Sequence, residues 1–213
     1  MYNLKKGLNI PISGSPEGTV SDSTKIYHVG ILGPDFIGMK PTMMVEVGDE
    51  VKIGSVLFED KKNPGVFFTS PAGGSIKSIN RGEKRRFISI EIEIAEEEDQ
   101  VEILNNDNEI LLKNLSKYGV INNFRTRPFN KTPKPSDIPD DIFVNICDTN
   151  PLSVDPYIYL RHEIDLFNRS LIKLKEIFNC NIHVCYQNND FNNFVDGINY
   201  YNFNGPHPAG LSG

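Results

Sequence analysis

The first 95 residues contain short hydrophobic runs that are separated by glycine and proline. Five of them have the length of a β-strand: YHVGIL (27–32), MMVEV (43–47), SVLFE (55–59), VFFTS (66–70) and SIKSI (75–79). A further run, FISIEIEIAE from Phe87, alternates apolar and polar residues strictly. A period of two places one set of side chains on one face of a strand, here Ile88, Ile90, Ile92 and Ile94, with the glutamates on the other. The first half is therefore predicted to be all-β.

A polar connector follows this half. It begins with an acidic run at 96–99 and continues into NEILLKNLSKYG (108–119). That segment predicts a short helix that ends at Gly119, with Ile110, Leu111, Leu112 and Leu115 as its apolar residues. The next segment, RTRPFNKTPKPSDIPDD, contains four prolines and predicts a linker or surface loop.

The pattern after residue 141 changes to strand, helix, strand. IFVNICD (142–148) and NIHVCYQ, which ends at Gln187, predict buried strands. Between them, residues 156–178 carry apolar residues at helical spacing: Leu160, Ile164, Phe167, Leu171, Leu174 and Phe178. This order predicts a βαβ unit with a right-handed crossover, and Tyr200–Phe203 predicts one more strand. We therefore expect a mixed α+β chain with a β domain at 1–100, a connector at 101–140 and a Rossmann-like α/β domain at 141–213.

The stretch from residue 45 to residue 79 has the turns of a small β-sandwich. Gly48-Asp49 forms a tight turn, a hairpin runs through Lys61–Gly65, and Gly73-Gly74 turns the chain back. This arrangement resembles the barrel-sandwich hybrid of biotinyl and lipoyl carrier domains, whose hairpin presents a modified lysine. Lys61 is thus a candidate lipoyl acceptor. The alternative is that it is a solvated lysine, and the length of this hairpin and the rigid Pro64 favour that alternative.

The composition and charge of the chain exclude several classes of protein. The chain has 213 residues, with 22 basic and 28 acidic side chains and a net charge of −6. Such an acidic protein lacks the charge of a general nucleic-acid binder. No apolar run approaches the roughly 20 residues of a membrane span, and the first residues show no export signal. The three cysteines are unpatterned, which indicates a reduced cytosolic environment. Any membrane link is expected to come through a partner.

The candidates for cofactor chemistry are weak. His28, His162 and His183 are interpreted as hydrogen-bonded or solvated side chains rather than catalytic groups. Three cysteines (147, 180 and 185) cannot supply four thiolates for an iron–sulfur cluster, and no metal site is predicted. The strand-to-helix junction CDTNPLSVDP has no glycine and carries Asp148 and Asp155. It therefore does not predict a dinucleotide site.

A local cluster of basic and aromatic residues, Arg125, Arg127 and Phe129, interrupts this acidic chain. Arginine and aromatic residues are enriched at protein interfaces, so the cluster is a candidate contact for a partner. The alternative is a loop whose two arginines bind nearby carboxylates.

Several ordered blocks together resemble the A subunit of the bacterial Na⁺-translocating NADH:quinone reductase: KKGLNIPISG, GMKPTMMVEVGDEVKIGSVLFEDKKNPGVFFTSPAGG, INRGEKR, FRTRPFNK, FVNICDTNPLSVDP and GPHPAGLSG. The resemblance implies a peripheral subunit on the cytoplasmic side of the inner membrane, bound to membrane-embedded subunits. It also implies a second domain similar to the flavoprotein subunit of complex I. The complex passes electrons from NADH through flavins and an iron–sulfur centre to ubiquinone and exports Na⁺.

The resemblance implies no tightly bound cofactor in this chain, with the redox groups in other subunits. It also makes ubiquinone a candidate ligand, for which Arg125, Arg127 and Phe129 are the candidate contact. We therefore expect a scaffold subunit that has no catalytic residue of its own. Family members continue beyond the GPHPAG block, so we also expect this chain to be a fragment without the C-terminal half. Two other functions stay open at this point, a carrier module modified at Lys61 and an Rnf-complex C-type electron-transfer subunit.

Overall fold

The computed structural model describes residues 1–21, 24–102, 114–187, 191–192 and 194–211. It divides into two compact units. The sandwich unit comprises Thr24–Asp137, and the α/β unit comprises Met1–Ser23 together with Ile138–Gly213. None of the helices in these described stretches is long and apolar enough to span a membrane.

The strands, numbered along the chain, are β1 Tyr2–Asn3, β2 His28–Leu32, β3 Pro41–Met43, β4 Glu50–Val51, β5 Val56–Asp60, β6 Phe67–Thr69, β7 Gly74–Arg81, β8 Phe87–Ile94, β9 Asp141–Ile146, β10 Asn181–Tyr186 and β11 Asn199–Asn204. The α-helices are α1 Tyr157–Leu160 and α2 Ile164–Phe178. Short 3₁₀ helices span Gly33–Asp35, Glu83–Arg85 and Val120–Asn123.

The first half of the chain is built mainly from β-strands, as the periodicity predicts, and those of the sandwich unit form two antiparallel sheets. The four-stranded sheet has the order β2-β8-β7-β4, and the three-stranded sheet has the order β3-β5-β6. Side chains from both sheets form one core, of which the largest fully buried members are Leu57, Phe58, Phe68, Ile76, Ile90 and Ile92. Burial of these apolar side chains stabilises the unit by removing them from water.

Strand β8 departs from the predicted alternation at its start. Ile90 and Ile92 are fully buried, but Ile88 is 38% exposed and Phe87 is buried instead. The reason is a register shift: Asn80 pairs with Ser89 and Arg81 pairs with Phe87, so Ile88 has no direct partner on β7. An extra residue of this kind reverses the faces on either side of it. The prediction for Ile88 is therefore wrong.

The connector after the sandwich is described only in part. The predicted helix at 108–119 begins outside the described residues, and these omitted positions include Ile110, Leu111 and Leu112. Its described part, 114–117, is helical. The chain then turns at Gly119, which has a φ of +73°, as expected for a glycine that ends a helix.

The α/β unit contains a parallel sheet in the order β1-β11-β10-β9. Helix α2 connects β9 to β10 and contacts β10, which confirms the predicted βαβ unit. The predicted single helix at 156–178 is divided, because Glu163 has φ −123° and ψ 27° and separates α1 from α2. Helix α2 ends at Phe178, and the following Asn179 has a left-handed φ of 48°.

Strand β1 was not predicted. Tyr2 and Asn3 pair in parallel with Phe203 and Asn204 of β11. The pairing continues beyond the strand, since the Leu4 amide donates to the Asn204 carbonyl at 2.8 Å and the Leu8 amide donates to the His207 carbonyl at 2.9 Å. The first residues of the chain are thus built into the α/β unit.

Gly7 is required for this pairing. Its φ is +146°, and an added Cβ would lie 2.2 Å from the carbonyl oxygen of His207. We expect Gly7→Ala to detach the segment 4–8, so that the Leu4 and Leu8 amides exchange hydrogen at least about tenfold faster, the equivalent of ~1.4 kcal/mol. Hydrogen exchange read by mass spectrometry or NMR measures this change.

Gly14 provides the matched control, because its φ is +106° but no atom lies within 4 Å of an added Cβ. Gly14→Ala is expected to leave the exchange of Leu4 and Leu8 unchanged. Equal protection of both amides in the Gly7 variant and the native protein would contradict the account.

Candidate functional site

The hairpin between β5 and β6 carries Lys61, the candidate lipoyl acceptor. Lys61 and Lys62 are exposed, whereas the preceding Asp60 is 8% exposed. The Asp60 carboxylate accepts hydrogen bonds from the backbone amides of Lys40 (2.9 Å) and Lys62 (3.0 Å). These bonds hold the residues on either side of Lys61. The Lys61 amide also donates to the Lys40 carbonyl at 2.8 Å, so the backbone of Lys61 is held as well.

The tip of this hairpin is also bound to the proline-rich loop that follows the sandwich. Asn63 Nδ2 donates to the Pro133 carbonyl at 3.1 Å. The Gly65 amide donates to Glu59 Oε1 at 2.7 Å, and an added Cβ at Gly65 would lie 3.3 Å from Pro135 Cγ. The backbone of the tip is thus held in place, with two lysine side chains projecting from it.

Arg125, Arg127 and Phe129, predicted as one cluster, have different environments. Arg125 is half-buried, and its guanidinium donates to the carbonyls of Asn122 and Phe124 and lies 5.2 Å from the centre of the Phe36 ring. Arg127 is exposed, and Phe129 is 72% exposed. Arg125 therefore anchors this segment, and the other two side chains project from it.

The segment that presents these two residues is a tight turn. The Thr126 amide donates to the Lys131 carbonyl at 2.7 Å, and the Asn130 amide donates to the Thr126 carbonyl at 2.8 Å. We call residues 126–131 the basic-aromatic turn. Its backbone hydrogen bonds fix the positions from which the Arg127 and Phe129 side chains project. A partner that binds here would therefore not have to order this backbone.

The α/β unit has a polar cleft of about 270 Å³ beyond the carboxyl ends of β9 and β10, where open α/β sheets bind ligands. It is lined by Ile146, Asp148, Ser153, Asp155, Pro156 and Gln187. A hydrogen bond from Ser153 and another from the Asn150 amide lower the pKa of Asp148 below its ordinary value. Asp148 is therefore charged, and Asp155 lines the same cleft, so the cleft would repel the negative charge of a phosphate.

We expect Ser153→Ala to raise the pKa of Asp148 towards the ordinary aspartate value, because it removes the largest cause of the depression. A carboxyl NMR titration of the protein measures this value. Because the folded pKa is depressed, the associated stability is present above the unfolded pKa and is lost as the pH falls through the folded pKa.

Ser170→Ala is the matched control, since Ser170 Oγ donates to the Leu166 carbonyl within α2. It should leave the Asp148 titration unchanged. An unaltered Asp148 pKa in the Ser153 variant would contradict the assignment of this hydrogen bond.

The environments of His28, His162 and Cys147 can be compared with the predictions for histidine and cysteine. His28 Nε2 lies 2.7 Å from Lys77 Nζ, and His162 is exposed. Both environments agree with the predicted hydrogen-bonded or solvated roles. Burial raises the pKa of the Cys147 thiol to about 12, which disfavours a reactive thiolate. Within the described stretches, no group of three or more His, Cys, Asp or Glu side chains could hold a metal ion.

One arrangement of side chains was missed by the sequence reasoning. His183 Nε2 lies 2.8 Å from Asp141 Oδ1, and its Nδ1 lies 3.2 Å from the Tyr201 hydroxyl. The ring of His183 stacks on Phe143 at a centroid distance of 4.7 Å. The alternation of β9, β10 and β11 could have placed these residues on one face, but only with the register between the strands known.

Comparison with known proteins gives matches along almost the whole chain. A family model of the NqrA N-terminal barrel-sandwich hybrid domain matches residues 2–95, and a model of the NqrA second alpha/beta domain matches residues 106–213. These matches confirm the predicted fold of both halves.

Curated relatives match over the full chain. The A subunit of the Na(+)-translocating NADH-quinone reductase of Yersinia pseudotuberculosis serotype O:1b is 42% identical over 222 residues, which cover 100% of this chain and 50% of the relative. The protein of the same name from Neisseria meningitidis serogroup B is 44% identical over 223 residues, with the same coverage. The chain thus spans about half the length of the curated relatives that it matches.

Proposed function

The chain belongs to the NqrA family, and from this membership we propose that it works as one component of a Na⁺-translocating NADH:quinone reductase. In this role it contributes to electron transfer to ubiquinone coupled to Na⁺ export, as a scaffold without a redox cofactor. The match of both family domains along almost the whole chain is the observation that carries the proposal. Its proposed place is peripheral, on the cytoplasmic side of the inner membrane and bound to membrane-embedded subunits.

The hairpin geometry supports a scaffold role over a carrier role. A carrier hairpin must be free of other contacts so that its tip can enter the active sites of its enzymes, whereas the tip beside Lys61 is bound to the loop at Pro133 through Asn63. The proposal therefore gives this hairpin a fixed surface role, with Lys61 unmodified.

The environment of the thiols and of the α/β cleft supports the proposal that redox groups lie in other subunits. Cys147 and Cys180 are buried, and burial raises the pKa of both thiols. An Rnf-type subunit with iron–sulfur clusters would need more thiolates than the three cysteines of this sequence. The two carboxylates in the cleft, Asp148 and Asp155, are unsuited to a nucleotide phosphate.

The proposed contact with another subunit or with quinone is the basic-aromatic turn. Its exposed members, Arg127 and Phe129, supply a guanidinium and an aromatic ring, which are frequent energetic centres of interfaces. Arg125 supports the turn from within through the Asn122 and Phe124 carbonyls.

The test is affinity purification of the tagged protein from the membranes of its own bacterium after solubilisation in mild detergent. We expect the membrane subunits and a Na⁺-dependent NADH:quinone reductase activity to co-purify with it. A protein that never associates with those subunits would contradict the proposal. The intact mass of the same sample examines the carrier alternative, because a lipoyl or biotinyl group on Lys61 would add to it.

Charge reversal examines the contact separately. Arg127→Glu is expected to weaken the co-purification, whereas Lys131→Glu, at the exposed end of the same turn, is the matched control. Arg125→Glu is unsuitable, because it would also remove the internal bonds of Arg125. Full retention of the partners by the Arg127 variant would remove the contact role and leave the role in the complex intact.

A further inference from the structure

A row of aromatic rings crosses the parallel sheet of the α/β unit. Phe143 of β9 stacks on His183 of β10, with ring centroids 4.7 Å apart and planes inclined by 17°. His183 in turn stacks on Tyr201 of β11 at 5.6 Å and 27°. The register explains the first contact, because Phe143 lies directly opposite His183.

The row continues onto the first strand of the chain. Tyr2 of β1 lies 6.0 Å from the Tyr201 ring and stacks on Phe203 at 5.4 Å and 21°. Tyr2 is directly opposite Phe203 in the parallel pairing of β1 and β11. The five rings, which we call the aromatic row, therefore extend over all four strands on one face.

The opposite face of this sheet is covered. Alternation along β9 and β10 places Ile142, Ile182 and Val184 on the face away from the row. All three are buried, and α2, with its buried Leu171, contacts β10. This face has the helical layer that is typical of an α/β fold.

The aromatic row, in contrast, is open at both ends. Phe143 is 66% exposed and Tyr2 is 52% exposed, so the described residues of the α/β unit leave about half or more of each of these side chains uncovered. Sheets that are wholly parallel occur almost only where both faces are covered by helices. Exposed aromatic rings at the two ends of a row on such a sheet therefore mark a surface that lacks its layer.

We propose that the aromatic row is the docking surface of an amphipathic α-helix outside residues 1–213, supplied by the second half of the family's polypeptide. Two observations select this occupant. A parallel sheet requires a helical layer on this face, and the matched relatives are about twice as long as this chain. The two matched domains are the N-terminal and the second of the family, so the remaining half of the relatives follows them.

A carboxylate at the edge of the aromatic row predicts which charge the helix should carry. The Asp141 carboxylate lies beside His183, and its side chain is 44% exposed. The hydrogen bonds from His183 and Asn181 lower the pKa of Asp141, so the carboxylate is charged at neutral pH. The helix is expected to place apolar residues on the rings and a basic residue near Asp141, since opposite charges favour this register.

The experiment co-expresses residues 1–213 with the unmatched second half of the Yersinia pseudotuberculosis relative, each with a different affinity tag. We expect the two polypeptides to co-purify as a 1:1 complex. Phe143→Asp should reduce the recovery of the second half at least about tenfold, because it replaces an apolar contact with a charge that docking would have to bury. Phe143→Leu should retain most of it.

Tyr159→Asp is the matched control, because Tyr159 is 55% exposed and lies on α1 rather than on the row. Far-UV circular dichroism checks that every variant is folded. The sequence has no tryptophan, so Phe143→Trp introduces one indole whose emission, after subtraction of the native complex, should shift to shorter wavelength on docking.

Three outcomes would overturn the proposal. The first is the absence of co-purification with the native chain. The second is equal recovery of the second half by the Phe143→Asp and Tyr159→Asp variants. The third is self-association of residues 1–213 that Phe143→Asp abolishes, since the row would then be covered by a second copy.

Discussion

Gly74→Ala is expected to lower the free energy of unfolding of the sandwich unit by about 3–5 kcal/mol. Gly74 has a φ of +155°, and an added Cβ would lie 1.9 Å from the carbonyl oxygen of Glu93 and 3.0 Å from the amide nitrogen of Ala95. Both neighbours are backbone atoms, so the contact cannot be relieved by a change of side-chain rotamer. The two strands would have to separate.

The position of Gly74 explains why this local clash has a large effect. Gly74 is the first residue of β7, where it pairs with Val51 of β4 on one side and Ile94 of β8 on the other. Separation of these strands would open the four-stranded sheet at the end where the chain returns from the hairpin. Urea unfolding followed by far-UV circular dichroism measures the loss, and hydrogen exchange of β7 and β8 assigns it to the sandwich unit.

Gly38 separates the steric effect from backbone strain. Its φ is +77°, but no atom lies within 4 Å of an added Cβ. Gly38→Ala is therefore expected to cost only about 1–2 kcal/mol, the penalty of a left-handed residue with a side chain. If the two substitutions lowered the free energy of unfolding equally, the approach of Glu93 would not be the cause.

Most strands of the sandwich could be predicted because their signal is local, although the predicted strand at 43–47 shares only Met43 with β3. The alternation around Ile90 and Ile92 can be seen in consecutive residues of the sequence, and these side chains are buried as predicted. The bulge at Ile88 has no such signal, because it depends on which residue of β7 pairs with Ser89. The apolar face of α2, centred on the buried Leu171, was likewise predictable from its spacing.

Non-local pairing limited the prediction of the α/β unit. Strand β1 has two residues, and its partner on β11 lies near the other end of the chain. Propensity cannot identify a strand this short. The aromatic row depends on the same pairing, since Tyr2 reaches Phe203 only when β1 joins β11.

The separation of Arg125 from Arg127 also had no local signal. Both are arginines in one short motif, yet one contacts the Phe36 ring and the other is exposed. Phe36 lies in an earlier part of the chain, so only the tertiary structure distinguishes the two side chains. The motif thus indicated a candidate contact, and only the structure shows which of its side chains are exposed.

Phe58→Ala is expected to lower the free energy of unfolding of the sandwich unit by about 3–5 kcal/mol. Phe58 is fully buried on β5 of the three-stranded sheet. Its ring stacks on Phe68 at 4.5 Å and meets Phe87 of the four-stranded sheet edge-on at 5.2 Å. Truncation removes apolar contact on both sheets and leaves a cavity between them, and both effects destabilise the native state.

Phe129→Ala is the matched control, since the same atoms are removed from a ring that is 72% exposed in the same unit. It should change the free energy of unfolding by no more than about 0.5 kcal/mol. Phe58→Leu keeps most of the volume and is expected to give an intermediate loss of about 1–2 kcal/mol. Urea unfolding of the three variants gives the order directly.

Phe58→Ala also tests whether the core supports the basic-aromatic turn. Phe68 meets the Phe36 ring edge-on at 4.7 Å, and the Arg125 guanidinium lies over that ring at 5.2 Å. Loss of the Phe58 ring should therefore loosen the support of the turn, so that its amides exchange hydrogen faster under conditions where the unit is still folded. Unchanged exchange in the turn, together with the full loss of stability, would show that the core stabilises the unit without positioning its contact surface.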